Sequence, residues 1–183
     1  MKIVILDRDG VINQDSKDYI KSPEEWVPIE GSIQAIANLC SAGFKVVIAT
    51  NQSGLGRKLF SSDDLANIHK KLIAAVAAAS GQIHGIFYCP HLPSDDCSCR
   101  KPRTGLLEEI EQKFQLSLES VPFIGDSVKD IQAALSHGCK AILVKTGNGE
   151  ASLIELRKLG LDDFQSFSNL AEAPESIILS END

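Results

Sequence analysis

The chain has 183 residues, 43% of them hydrophobic, and a formal net charge of −7, which suits a globular protein and excludes a disordered or fibrous one. The negative charge, without a Lys/Arg-rich stripe, argues against nucleic acid and anionic membrane surfaces as partners. The sequence lacks a run of about 20 apolar residues and turns acidic within residues 1–10, so we expect a cytoplasmic, monomeric protein.

Short apolar runs rich in Ile and Val alternate with helix-like stretches along the chain. The runs predict buried strands at residues 2–6, 44–49, 83–88, 121–124 and 141–144. Helices are predicted at residues 32–42, 62–80, 105–114 and 127–137. From about Asp162 the chain is expected to add one short strand and a terminal helix. The alternation predicts an α/β fold, a three-layer doubly wound parallel sheet forming one domain over residues 1–183.

Two carboxylates follow the first predicted strand in the sequence DRDG. Gly10 permits a turn that aims Asp7 and Asp9 into one crevice at the carboxyl end of the sheet, where such folds bind ligands. One carboxylate can attack phosphorus while the other protonates the leaving oxygen and then activates water. For an isolated pair, a solvated acidic turn is the alternative interpretation.

A second acidic pair, Asp126 and Asp130, follows the fourth predicted strand in GDSVKD. Four carboxylates in one crevice would repel one another and a phosphate, so their convergence implies a hard divalent cation, with magnesium favoured by oxygen ligands. The alternative is that these two aspartates only cap the helix that begins there.

Polar and basic residues follow the second and third strands. The segment after the second strand can cradle a phosphoryl oxygen without adding charge; its residues are Thr50, Asn51, Gln52 and Ser53. Arg100 and Lys101 form an adjacent basic pair near the same sheet edge. A lysine can hold the transferring phosphoryl group as a point charge, whereas an arginine can grip a second phosphate or a sugar oxygen bidentately.

Three of the five cysteines crowd into CPHLPSDDCSC, beside one histidine. An odd number of cysteines in an intracellular chain argues against a disulfide framework. The pattern predicts a structural zinc site with four ligands, which are Cys89, His91, Cys97 and Cys99. Free or packed cysteines are the alternative, and packing is what we expect of Cys40 and Cys139. Zinc would order this loop and thereby fix Arg100 and Lys101.

The four chemical motifs follow the first four predicted strands in order. This order resembles the haloacid dehalogenase (HAD) superfamily of phosphatases over about residues 2–144. The resemblance implies Asp7 as the nucleophile and Asp9 as the general acid/base. It implies Thr50 and Lys101 as ligands of the phosphoryl group.

The same resemblance implies a magnesium ion held by Asp7, the Asp9 carbonyl and Asp126, with Asp130 acting through water or neighbouring groups. Superfamily members often insert a cap domain between motifs. Here the intervening stretches are taken up by predicted core elements, so no cap domain is expected. Loops must then form the substrate rim, and Trp26 either lines that rim or anchors its packing.

With the cysteine loop included, the motifs resemble the zinc-loop phosphatases of that superfamily, which act on a heptose bisphosphate or on histidinol phosphate. The resemblance implies substrate contacts from Arg8, Asp15, Tyr19, Thr50, Asn51, Gln52, Ser53, Arg100 and Lys101. Arg100 beside Lys101 favours a doubly phosphorylated sugar, and histidinol phosphate is the alternative. Ser127 stands where many of the heptose enzymes have a lysine. A phosphorylatable receiver domain would not need the DxD motif and zinc, and a non-enzymatic zinc module would leave the aspartates unexplained.

Overall fold

Each predicted strand is present in the computed structural model, which describes residues 1–180. Six strands form one parallel sheet in the order β3-β2-β1-β4-β5-β6. They are β1 (Lys2–Leu6), β2 (Phe44–Asn51), β3 (Ile83–Cys89), β4 (Pro122–Gly125), β5 (Lys140–Val144) and β6 (Gln165–Phe167). The doubly wound α/β prediction is confirmed, including the short strand expected after Asp162.

Helices connect the strands, as parallel pairing of successive strands requires. They are α1 (Ser32–Ser41), α2 (Ser53–Gly56), α3 (Ser62–Ala78), α4 (Gly105–Phe114), α5 (Val128–His137), α6 (Gly149–Lys158) and α7 (Ala173–Ser180). The short helix α2 and the full helix α6 were not predicted. Within residues 1–180, no helix is long and apolar enough to cross a membrane.

The sheet is buried on both faces because alternate residues of its strands point to opposite sides. In β1, Val4 and Leu6 pack in the core formed with α1, α3 and α7. Ile3 and Ile5 pack in the core formed with α4, α5 and α6. The result is the predicted three-layer arrangement.

The central position of β1 determines where polar side chains meet. It pairs with β2 on one side and β4 on the other, so the chain reverses its direction of travel across the sheet at this strand. Ligands of such sheets bind at this switch point, outside the carboxyl ends of the strands. Between β1 and β3 the described chain holds only α1, β2, α2, α3 and the loops that join them, and no cap domain is present there.

The loop between β1 and α1 is anchored by Trp26, which is 1% exposed. The Lys71 ammonium lies 5.7 Å from the Trp26 ring centre and donates to the Trp26 carbonyl at 3.0 Å. Trp26 is therefore a packing anchor, and the alternative that it lines the substrate rim is wrong. Its burial leaves the rim to the polar residues that precede it.

Candidate active site

A cavity of about 750 Å³ opens at the carboxyl ends of β1, β2 and β4. The site residues predicted from sequence that line it are Asp7, Asp9, Asp15, Tyr19, Thr50, Asn51, Gln52, Arg100, Lys101, Asp126 and Asp130. Two other predicted substrate contacts, Arg8 and Ser53, are buried and do not line this cavity. The sheet thus brings residues from four separate motifs to one place.

Lys101 lies at the centre of this group and is 2% exposed. Its ammonium lies 3.1 Å from Asp7 Oδ1 and 2.5 Å from Asp130 Oδ1, and it donates to the Ala49 carbonyl at 2.8 Å. Burial disfavours the ammonium, but Asp130 and Asp7 outweigh it and raise the pKa of Lys101. Lys101 therefore stays charged beside the carboxylate that the resemblance assigns as nucleophile.

The predicted substrate contact Asn51 instead holds the Lys101 backbone. Its Nδ2 donates to the Lys101 carbonyl at 3.2 Å, and its Oδ1 accepts from the Lys101 N–H at 3.1 Å. This pair of bonds ties the end of β2 to the residue that follows the cysteine loop. The position of Lys101 is thus set by its main chain as well as by its ion pairs.

One carboxylate oxygen of Asp130 accepts hydrogen bonds at the start of α5, and the other pairs with Lys101. Its Oδ2 accepts from the Ser127 N–H at 3.0 Å and from the Ser127 hydroxyl at 2.6 Å, while the Asp130 N–H donates back to that hydroxyl. This is a capping box at the start of α5. Asp130 therefore caps α5, as the alternative interpretation held, and also forms an ion pair with Lys101 that the sequence did not predict.

The carboxylates of Asp7, Asp126 and Asp130 each offer an oxygen within 4.8 Å of the others. Burial raises the pKa of Asp7 to about 7, against the opposing effect of Lys101, and raises the pKa of Asp126 to about 8, with repulsion from Asp130 and Asp7 adding to it. Lys101 alone does not offset this concentration of negative charge. The all-oxygen donor set and the unmet demand for positive charge fit a magnesium ion.

Asp9 lies in a cradle of hydrogen-bond donors. Arg8 Nη2 donates to both of its carboxylate oxygens at 2.9 Å, Asn13 Nδ2 donates at 2.9 Å, and Gln52 Nε2 donates at 2.8 Å. Gln52 also donates to the Thr50 hydroxyl at 3.0 Å. Although burial opposes ionisation, Arg8 and these donors hold the pKa of Asp9 below its usual value.

Arg8 itself is 0% exposed, which corrects the expectation that its side chain contacts substrate. Its guanidinium is occupied by Asp9, by Gln52 Oε1 at 3.2 Å and by His69 Nε2 at 3.4 Å. Burial and the neighbouring Arg8 charge lower the pKa of His69 to about 4, so this histidine is neutral and can accept the bond. Arg8 lies behind Asp9 and supports it.

The loop after β5 contributes contacts that the sequence did not suggest. Asn148 donates to Asp126 Oδ2 from its N–H at 2.8 Å and from Nδ2 at 3.2 Å, and its Nδ2 also lies 2.8 Å from Asp15 Oδ2. Thr146 donates to the Gly10 carbonyl at 2.6 Å, tying this loop to the turn after β1. The one sequence signal that could have predicted these contacts is that a polar segment follows the fifth strand, just as the other motifs follow the first four strands.

The cysteine loop brings its four predicted ligands together. Their Sγ and Nδ1 atoms lie 3.6 Å apart for Cys89–His91, Cys89–Cys97 and Cys97–Cys99, and 3.3 Å apart for His91–Cys99. Ligand atoms of a tetrahedral zinc site are separated by about 3.5–3.8 Å. Burial and the neighbouring thiols raise the pKa of Cys99 to about 12, so a cation is needed to keep all three sulfurs ionised. The cluster fits zinc in both donor chemistry and spacing.

The other two cysteines lie outside this cluster. Cys139 is buried among apolar residues, as expected, whereas Cys40 is half-buried and exchanges hydrogen bonds with the Gln82 backbone. No disulfide joins any of the five cysteines, all of which lie within the described residues.

Comparisons with known proteins agree with this geometry. A HAD-hydrolase-like family model matches residues 98–173. The D-glycero-β-D-manno-heptose-1,7-bisphosphate 7-phosphatase of Bordetella bronchiseptica is 50% identical over 155 residues, covering 85% of this chain and 87% of the relative. The enzyme of the same name from Pseudomonas putida is 52% identical over 153 residues, covering 84% and 87%.

Solved structures show the same relationship. The crystal structure of D,D-heptose 1,7-bisphosphate phosphatase from B. bronchiseptica, complexed with magnesium and phosphate, matches with a TM-score of 0.94 and 46% identity. The match covers 98% of this chain and 99% of that one. The chain therefore belongs to the D-glycero-D-manno-heptose-1,7-bisphosphate 7-phosphatase family of HAD-like hydrolases.

Proposed function

We propose that this protein is a magnesium-dependent phosphatase that removes the C7 phosphate of D-glycero-D-manno-heptose 1,7-bisphosphate, a step in heptose nucleotide synthesis. The observation that carries the proposal is Lys101, a buried cation joining Asp7 and Asp130 at the base of an open cavity in a chain of this family. Histidinol phosphate, the alternative substrate, lacks the second phosphate for which Arg100 is suited. Curated relatives at about half identity are named for the β anomer, so the β-bisphosphate is the first substrate to test.

Asp7 is the nucleophile in this proposal. Its carboxylate oxygen forms a bond to the phosphorus of the C7 phosphate while the bond from phosphorus to the sugar oxygen breaks, giving an aspartyl phosphate. Lys101 and the Thr50 hydroxyl line the place where the phosphoryl oxygens come to lie. Because Lys101 is fixed by four protein groups before substrate binds, its charge requires no reorganisation during transfer.

In this proposal Asp9 acts first as the general acid and then as the general base. Its carboxyl group gives a proton to the departing C7 oxygen, and the resulting carboxylate accepts a proton from water as that water attacks phosphorus and releases Asp7. The cradle around Asp9 orients it and favours its ionised form, so the group must turn toward the leaving oxygen and gain its proton when substrate is bound. We assign Arg8 the task of positioning Asp9 through this cradle.

A magnesium ion would be held by Asp7, the Asp9 carbonyl and Asp126, and when bound it would neutralise phosphoryl charge and the crowded carboxylates. A zinc ion in the cysteine cluster would have a structural function, because four protein ligands leave no position for substrate. Arg100 and Lys101 directly follow the ligand Cys99, so an ordered loop fixes both basic groups at the cavity.

Phosphorus NMR of the reaction products tests the proposal. With D-glycero-β-D-manno-heptose 1,7-bisphosphate and Mg²⁺, the C7 resonance should be lost and the anomeric C1 phosphate retained. Histidinol phosphate and a heptose 7-monophosphate are the comparison substrates and should react more slowly. Release of the anomeric phosphate first, or preference for histidinol phosphate, would overturn this assignment of substrate.

A further inference from the structure

Asn148 occupies the first position before α6, where an asparagine ordinarily caps the helix through its side chain. Here the side chain makes no capping hydrogen bond. Its two amide hydrogens are directed instead at two carboxylates, Asp126 at 3.2 Å and Asp15 at 2.8 Å. Asn148 makes contacts with two distant carboxylates in place of a favourable local capping bond, and this indicates a functional constraint at its position.

The orientation of the Asn148 amide is fixed by these partners. Reversing the amide would place its oxygen against two carboxylate oxygens, which cannot donate a hydrogen bond. Its backbone N–H also donates to Asp126 Oδ2 at 2.8 Å. Main chain and side chain therefore grip the same oxygen and fix the plane of the Asp126 carboxylate.

The loop that carries Asn148 fits closely around Asp126. A Cβ atom on Gly147, whose φ is +58°, would lie 2.2 Å from Asp126 Oδ2, and one on Gly10, whose φ is +80°, would lie 2.1 Å from it. Both positions thus require glycine for space and for backbone conformation. The close approach of Asn148 to Asp126 therefore depends on two separate turns, one at Gly10 and one at Gly147.

We propose that Asn148 is a positioning residue that couples magnesium binding at Asp126 to the rim residue Asp15. This inference rests on the proposed function, in which Asp126 is a magnesium ligand, and on the substrate contact that the family resemblance implies for Asp15. Asp15 is itself held, because its other oxygen accepts from the Ser16 N–H at 2.8 Å. The Asn148 side-chain amide therefore connects Asp126, the proposed magnesium ligand, to Asp15 in an ordered part of the cavity rim.

Calorimetric titration of the protein with MgCl₂ alone, without any sugar, tests this coupling. Asn148→Ser keeps a side chain that can cap α6 but cannot span both carboxylates, so Mg²⁺ affinity should fall about 10-fold or more with little change in thermal midpoint. Asn148→Ala loses the same bridge, so its Mg²⁺ affinity should fall by the same factor. Asn169→Ser is the matched control, since the Asn169 side chain accepts from the nearby Ala171 N–H and does not line the cavity, and the Mg²⁺ affinity of this variant should equal that of the wild type.

A double-mutant cycle with Asp15→Ala completes the test. Asp15→Ala should weaken Mg²⁺ binding in the wild-type background and have no further effect in the Asn148→Ser background. Unchanged Mg²⁺ affinity in both Asn148 variants, or additive effects in the cycle, would overturn the inference. Failure of the wild type itself to bind Mg²⁺ would instead overturn the proposed function, so the two failures are distinguishable.

Discussion

Two clusters of side chains that could each hold a metal ion adjoin Lys101, and they are built differently. The carboxylate cluster, Asp7, Asp126 and Asp130, stands at the ends of buried strands and at the start of α5. The cysteine cluster has Cys89 at the end of β3, but its other three ligands lie on a loop whose regular structure is one 3-10 turn, Pro93–Asp95.

The carboxylate cluster is organised by protein groups that remain when no metal is bound. Lys101, Ser127 and Asn148 each hold one or more of its oxygens. The cysteine cluster has support only from its own loop: its sulfurs contact one another and the His91 ring, and they accept hydrogen bonds from the backbone of His91, Cys99 and Arg100. The first cluster is therefore held by side chains from several elements, whereas we expect the second to depend on a bound metal for its order.

This comparison is tested most severely at Asp7, where the largest effect is expected. Asp7→Asn removes the attacking oxygen anion and should lower kcat about 10⁵-fold or more. The zinc content and the thermal midpoint should stay near those of the wild type, since the cysteine cluster lies elsewhere. Measurable turnover by a pure, folded Asp7→Asn variant would exclude an aspartyl phosphate.

Asp9→Asn should have the next largest effect, because an amide keeps most of the cradle contacts but cannot transfer the proton. We expect kcat to fall about 10²- to 10⁴-fold. The loss should be smaller for a substrate whose leaving group needs no proton, such as an activated aryl phosphate. An equal loss for the sugar phosphate and the aryl phosphate would show that Asp9 is not the acid that protonates the leaving oxygen.

The sequence predicted the carboxylate cluster because Asp7 and Asp126 directly follow strands and Asp130 lies in the first turn of the helix that follows β4. The strands were recognisable as continuous Ile/Val-rich runs buried on both faces, and most of their ends fell within about two residues of the prediction. Parallel topology then brings those ends together. The cysteine cluster was predicted for a different reason, since ligand type and short spacing identify it without any knowledge of the sheet.

Residues whose function depends on long-range partners were harder to predict. The family resemblance implied that Arg8 contacts substrate, but Arg8 is buried against Gln52 and His69 from other parts of the chain. Asn148 resembles an ordinary helix cap, and only its approach to Asp126 and Asp15 shows otherwise. No local pattern carries this information.

Removal of zinc should have an intermediate effect and should separate the two clusters. The purified protein should hold about one zinc per chain by metal analysis, and stripping it should loosen the loop and lower activity about 10- to 100-fold even in excess Mg²⁺. Cys97→Ser should behave in the same way. Full activity of the zinc-free protein would contradict the proposal that the cysteine cluster fixes Lys101 in the cavity.

Arg100→Ala should give the smallest effect, and it separates the contribution of the loop from that of the carboxylates. Arg100 lines the cavity with its guanidinium 3.3 Å from the His91 carbonyl, placed to pair with the phosphate that is not transferred. Loss of a charge-assisted bond of about 1.5 kcal/mol should lower kcat/KM about 10-fold for the bisphosphate and much less for a heptose 7-monophosphate.

Arg103→Ala is the matched control for that comparison. Arg103 lies on the same loop but pairs with Asp96 and donates to the Cys97 carbonyl at 2.7 Å, so its removal loosens the loop without taking a cation from the main cavity. Any loss of kcat/KM in this variant should be equal for the bisphosphate and the monophosphate. If Arg100→Ala also impairs both substrates equally, Arg100 supports the loop and the second phosphate is recognised elsewhere.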